Sequence, residues 1–179
     1  MTAPLIVDKV APAVVPVRLL YRRTRERRAL YVWEREVRLR TRRGWTRWPA
    51  GYVTDFGSRP WWSGVLSLGE LDPLGSHVWA AAAHDWAYAA GEPGMRSAHD
   101  DDFRWRMKVD GVNPLKRAIM HGAVEAFGSV GYRQAHTWWD TQNFADPETG
   151  EYPVAPPFGR EEAFVGGRWG LRPEPNWEG

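Results

Sequence analysis

The period of the apolar positions changes along the chain. From Ala29 to Arg40, Tyr31, Trp33, Val37 and Leu39 fall on one face of a strand, and Glu34, Glu36, Arg38 and Arg40 on the other. Period two with one charged face marks a half-buried antiparallel strand. Arg35 interrupts the apolar side. Thr41-Arg42-Arg43-Gly44 reads as a turn into a second strand, Trp45 to Trp48. A segment with turn residues at both ends and a short apolar centre follows, Pro49 to Pro60. Residues 18–59 are therefore expected to be β.

Beyond residue 76 the pattern becomes helical. Val78 to Ala90 lies between Ser76, a candidate N-cap, and Gly91, a candidate stop. Ser97 is placed to cap a second helix from about Ala98 to Val109, with three acids in its first turn, where the macrodipole favours them. Gly111 ends it. Asn113-Pro114 is a cap followed by proline at the first helical position, and it opens a third helix to about Gly128. A fourth helical stretch includes Tyr132 to Trp139. The fold class is α+β, with a small N-terminal antiparallel sheet followed by a three- to four-helix layer.

The two ends lack either period. Pro4, Pro12 and Pro16 break any helix in residues 1–17, where Val7, Val10, Val14 and Val15 suit an extended arm. Residues 142–179 are rich in Pro and Gly and read as a second extended arm, long enough to need a holder such as a neighbouring subunit. This divides the chain into an arm at 1–17, a single α+β domain at 18–141 and a C-terminal arm at 142–179.

Composition narrows the chemistry. The 179 residues include no cysteine, which excludes disulfides, cysteine zinc sites and thiol nucleophiles. No apolar run approaches a membrane span, and a secretory signal is not expected at the start. The 12 Trp suit packing and also protein interfaces. Net charge is only +2, but residues 1–48 carry 13 Lys and Arg against 4 Asp and Glu, a net of +9. Such a quarter could meet an acidic partner or nucleic acid. Its arginines interleave with strand-like apolar residues, however, which suits the solvated face of a sheet. Nucleic acid is not expected as a partner.

Candidate chemistry lies in Ala80-Ala81-Ala82-Ala83-His84-Asp85-Trp86-Ala87-Tyr88 and in Asp100-Asp101-Asp102-Phe103. On a helix, His84 and Tyr88 are one turn apart on one face, and Asp85 points about 100° away. The short linker Gly91 to Met95 makes the two helices antiparallel neighbours, and the alanines let them approach closely. Asp100 can then reach the His84 ring; Asp101 does so if the second helix is turned by one residue. A carboxylate on one imidazole nitrogen leaves the other to accept a proton. Asp85 would be free to bind a hard cation. The same residues equally suit a satisfied polar pair in a core and acids at a helix start. His77, His99, His121 and His136 show no metal-ligand spacing.

The order of Pro49 to Pro60, then Ala81 to Tyr88, then Arg96 with Asp100 and Phe103, then Met120 to Val124 with Phe127 and Gly128, resembles an uncharacterised family of phage and prophage proteins over residues 28–130. The resemblance implies a bacteriophage origin, near tail or lysis genes, and no proven activity. The expected role is a structural virion component of the tail or tail tip, made in the bacterial host cytoplasm and joined to other virion proteins through the arms.

The His-Asp-x-x-Tyr helix with an Asp-x-x-Phe helix also resembles secreted calcium phospholipases, especially their short bacterial and parvoviral capsid forms. That resemblance implies an alternative role, a metal-assisted hydrolase of lipid or cell-envelope esters in entry or lysis. His84 would be the general base, Tyr88 and Asp100 would orient it, and Asp85 would hold Ca²⁺. The Tyr-x-Gly-x-Gly calcium loop of those enzymes has no match here, although Gly64, Gly69 and Gly75 lie in a suitable region. Asp55 could supply a substitute ligand or cap a turn through its own backbone.

Overall fold

In chain order the strands are β1 (Leu5–Val7), β2 (Val17–Leu20), β3 (Leu30–Trp33), β4 (Val37–Thr41), β5 (Gly44–Trp48) and β6 (Val53–Thr54). The computed structural model describes residues 3–9, 12, 14–20, 29–56, 75–133 and 135–164, with the backbone alone at 136–138 and 141. Gly57 to Pro60, Gly64, Gly69 and residues 165–179 lie outside the described residues.

The strands form two three-stranded sheets, β1-β4-β5 and β2-β3-β6, within an α+β fold. The alternating stretch 29–40 is two strands, not the one expected. β3 and β4 belong to different sheets, and the chain bends at Glu34 and Arg35, where the alternation failed. The Glu34 N–H still reaches the Pro16 carbonyl at 3.0 Å, one pair beyond Val17 and Trp33, before the chain leaves the second sheet. The first sheet is mixed rather than antiparallel, because β1 pairs parallel with β4, Leu5 opposite Val37 and Val7 opposite Leu39. Val7 is fully buried, so this part of the segment read as an arm is an edge strand of the domain. Such a pairing spans about 30 residues and leaves no local signal.

Val7, Val37, Leu39 and Trp48 point inward from the first sheet, and Ile6, Arg38, Arg40, Trp45 and Arg47 line its other face, all but Ile6 half-buried. The expected apolar and charged faces are present in β4, whereas β3 carries no charged residue and Glu34 and Glu36 lie between the strands. Trp33 joins the layers: its ring lies 5.2 Å from Trp48, 5.8 Å from Phe56 and 5.6 Å from Trp79. Tilted and edge-to-face contacts of this kind suit aromatic quadrupoles.

The helices are α1 (Val78–Ala90), α2 (Arg96–Val109), α3 (Pro114–Arg133) and α4 (Ala135–Gln142). α1 stops where expected, because Gly91 takes a left-handed φ of 58°. A Cβ at Gly91 would lie 2.2 Å from the Cβ of Ala135, so the same glycine lets α4 approach. Ser76 is not the cap; His77 holds that position without a side-chain bond. α2 starts at Arg96 after Met95 rather than after Ser97, so Asp100 to Asp102 fall beyond the first turn. α3 opens as expected, with Asn113 Oδ1 accepting the Leu115 N–H at 2.9 Å, but it runs on to Arg133.

Arg106 of α2, only 1% exposed, fastens this layer to the sheet. It donates to Asp110 Oδ1 at 3.0 and 2.7 Å and to the carbonyls of Asp8 and Arg40 at 2.5 and 3.3 Å. After α4 the irregular segment folds back on its own domain. The Ala145 N–H meets the Gly51 carbonyl at 2.8 Å, Trp139 Nε1 meets the Phe158 carbonyl at 3.2 Å, and Arg160 meets the Ala90 carbonyl at 2.7 Å. Phe158 packs 5.7 Å from Trp139, which lies 5.6 Å from Trp86. Residues 143–164 therefore lie against this domain, where an arm reaching a neighbour was expected. Among the described residues no helix is long and apolar enough to cross a membrane.

Candidate functional site

Antiparallel α1 and α2 bring His84, Tyr88 and Asp100 together. His84 Nε2 lies 3.0 Å from Asp100 Oδ1, and the Tyr88 hydroxyl donates to the same oxygen at 2.7 Å. Arg96, one turn before Asp100, donates to Oδ2 at 3.2 Å. Arg96 also reaches the Val124 and Glu125 carbonyls of α3 at 3.4 and 3.2 Å. Asp100, not Asp101, is the partner of the histidine.

The electrostatics follow from this geometry. Burial pushes the Asp100 carboxyl up, but the bonds from His84 and Tyr88 and the Arg96 charge outweigh it, so the group titrates below the usual carboxylate range. Burial holds the His84 imidazolium down more strongly than Asp100 supports it, so its pKa is lowered. The stable pair is a neutral imidazole donating Nε2–H to a carboxylate. That fixes the tautomer and leaves the lone pair on Nδ1, which has no hydrogen-bond partner among the described residues. The ring is 9% exposed and packs between Tyr88, 4.1 Å away, and Phe103, 4.7 Å away.

A cavity of about 20 Å³ lies beside the ring, lined by Thr41 and Thr46 from the sheet and by Ala83, Ala87, His99 and Phe103 among others. It has room for one water molecule. His99 is buried, its Nδ1 3.2 Å from Arg43. Burial, then the Arg43 charge, push its pKa down to about 3, so it too is neutral. Arg43 closes on Asp102 Oδ2 at 2.9 and 2.8 Å.

Asp85 does not join this group. Its Oδ2 accepts from the Thr54 hydroxyl at 2.5 Å, and Thr54 in turn accepts the Phe56 N–H at 3.0 Å. Phe56 is held at a positive φ of 54°, a conformation a bulky residue rarely adopts. The Tyr52 phenol is raised well above its ordinary value by burial and then by Asp85 and Asp55. The two expected cation ligands therefore act on one neighbourhood. Calcium takes about six to eight oxygens, and among the described residues no group of three or more His, Asp or Glu could hold a metal ion. Asp85 and Asp55 alone would fall short of such a shell.

One contact near the site escaped the sequence, and another was only partly legible. The double grip of Arg96 was partly visible, since Arg96 and Asp100 stand four residues apart. The Arg43 contact was not, because 59 residues separate it from Asp102.

A family model described as a protein of unknown function (DUF1353) matches residues 32–124, and the chain belongs to this family. Those residues run from β3 into α3 and include His84, Tyr88, Arg96 and Asp100. No curated protein and no solved structure matches.

Proposed function

We propose that the protein is a hydrolase in which His84 is the general base, oriented by Asp100, acting on an ester of lipid or cell envelope. The observation that carries this reading is the Nε2–Asp100 bond of 3.0 Å on a neutral imidazole whose Nδ1 lone pair is unclaimed among the described residues. Nδ1 takes a proton from water as the oxygen attacks the ester carbonyl, Asp100 stabilises the imidazolium that forms, and the imidazolium gives that proton to the alcohol oxygen as its bond to the carbonyl carbon breaks. Tyr88 and Arg96 hold Asp100 ionised and in place. Asp85, with Asp55, would hold a cation such as Ca²⁺ beside Thr54 and Tyr52, and no step at His84 is assigned to it. The test is release of fatty acid from mixed bacterial lipid vesicles, with Ca²⁺ or with chelator, by the full chain and by His84→Gln. Turnover by the wild type alone supports the reading; equal rates for both chains contradict it.

A second reading is a structural component of a phage virion, of the tail or tail tip, made in the bacterial cytoplasm and joined to other virion proteins. The outer side of α3 supports it, where Leu115 is 69% and Val130 64% exposed. Apolar side chains so placed suit a partner surface. Antibody to the chain should label one end of purified tails; label found only in the soluble lysate contradicts it. The two readings are compatible.

A further inference from the structure

α3 contributes no side chain to the bonds around Asp100, yet it touches the residues that make them. Gly128, in the middle of α3, faces Tyr88. A Cβ built there would stand 2.2 Å from the Tyr88 hydroxyl oxygen and 3.0 and 3.1 Å from ring atoms Cζ and Cε1. No real side chain tolerates the first of these distances. Glycine is disfavoured in a helix interior, so its presence at this contact has a packing reason. Gly122 on the same helix is the contrast: a Cβ there meets nothing within 4 Å.

Neighbouring residues of α3 brace the same group. Tyr132, one turn beyond Gly128, lays its ring 5.0 Å from Tyr88 at 85°, and its hydroxyl donates to the Glu92 carbonyl at 2.5 Å. One turn before Gly128, the Val124 and Glu125 carbonyls receive Arg96. The Tyr88 ring is thus confined by Tyr132 on one side and by His84 on another, and the bare backbone of Gly128 leaves the space its hydroxyl fills.

We propose that Gly128 is a positioning residue for the His84–Asp100 pair: its missing side chain is the seat that places the Tyr88 hydroxyl on Asp100. This rests on the reading of His84 as a base. A methyl group at 128 displaces the Tyr88 hydroxyl from Asp100 Oδ1. The carboxylate then loses a donor and binds a proton more readily, and the oxygen that orients His84 is no longer held in place by Tyr88.

The experiment uses the full chain with Gly122→Ala, Tyr88→Phe, Gly128→Ala and the double variant Tyr88→Phe/Gly128→Ala. The Asp100 carboxyl carbon resonance is followed against pH, beside vesicle hydrolysis. Gly128→Ala and Tyr88→Phe should raise the Asp100 midpoint alike, since each removes the donor that holds the carboxyl low, and Gly122→Ala should leave it in place. Gly128→Ala should lower turnover about 10- to 100-fold. The double variant should match Tyr88→Phe within about twofold, because the residual contacts to the ring need only a small shift. An unchanged midpoint in Gly128→Ala, or losses that multiply in the double variant, overturns the proposal. If Gly128→Ala does not fold, the double variant must fold, since the closest clash is gone; its failure also overturns it. Absence of hydrolysis by the wild type would remove the base reading, while the titration still decides the seat.

Discussion

Tyr88 and His84, one turn apart on α1, converge on a single oxygen of Asp100, with their rings 4.1 Å apart. The carboxylate is therefore acidic and ionised at neutral pH, although it is only 2% exposed. Its remaining oxygen belongs to Arg96. Such a group can hold an imidazole in one tautomer without taking its proton.

The tautomer can be tested directly. Asp100→Asn keeps the shape but can present an amide N–H to Nε2, which moves the ring proton to Nδ1. Hydrolysis should fall by about 10²- to 10⁴-fold with a folded spectrum retained. A rate within a few-fold of wild type would separate Asp100 from the chemistry.

Activity should follow the protonation of His84. Its pKa lies below 6.5 because burial outweighs the support of Asp100. The rate should rise with pH to a midpoint below 6.5 and be level through neutrality. A midpoint above 7 in the vesicle assay would contradict a buried, neutral base.

Stability should carry the opposite histidine, His99. Its folded pKa is about 3 and its unfolded value about 6.5. Between these the unfolded chain binds more protons, so stability falls as pH drops from about 6.5 to about 3, by on the order of a few kcal/mol. Above pH 6.5 His99 contributes no pH dependence. In urea melts, His99→Gln should flatten this slope, and an unaltered slope would contradict the assignment.

The Arg106 tie offers a structural control away from the site. Arg106→Met leaves Asp110 buried without its cation, and the expected loss is about 3–5 kcal/mol in denaturant melts. A loss under about 1 kcal/mol would mean that Asp110 finds other compensation.

These relationships were unequally visible in the sequence. The His84–Asp100 pair was legible, because a five-residue linker from Gly91 to Met95 forces neighbouring antiparallel helices and both residues sit on facing stripes. The end of α1 was legible in Gly91. The break at Arg35 showed only as a misfit in an alternating pattern, and its meaning depends on β3 and β4 entering different sheets. The parallel pairing of β1 with β4, the Arg43–Asp102 contact and the seat at Gly128 join residues far apart in sequence, where periodicity has nothing to report. The segment after α4 lacked any period, yet Phe144 and Phe158 bury against Trp139. Irregular backbone anchored by aromatic side chains resembles a free arm when only its period is read.

The measurement that bears most directly on the account is hydrolysis by His84→Gln beside its thermal melt. Gln roughly keeps the volume and a hydrogen-bonding group toward Asp100 but cannot take up a proton near neutral pH. The account predicts wild-type turnover on mixed bacterial lipid vesicles, a fall of about 10²- to 10⁴-fold in the variant, and a melt shifted by little. A wild type without turnover, with or without Ca²⁺, together with a variant destabilised by about 1–3 kcal/mol, would make His84 a buried polar strut and contradict the central claim.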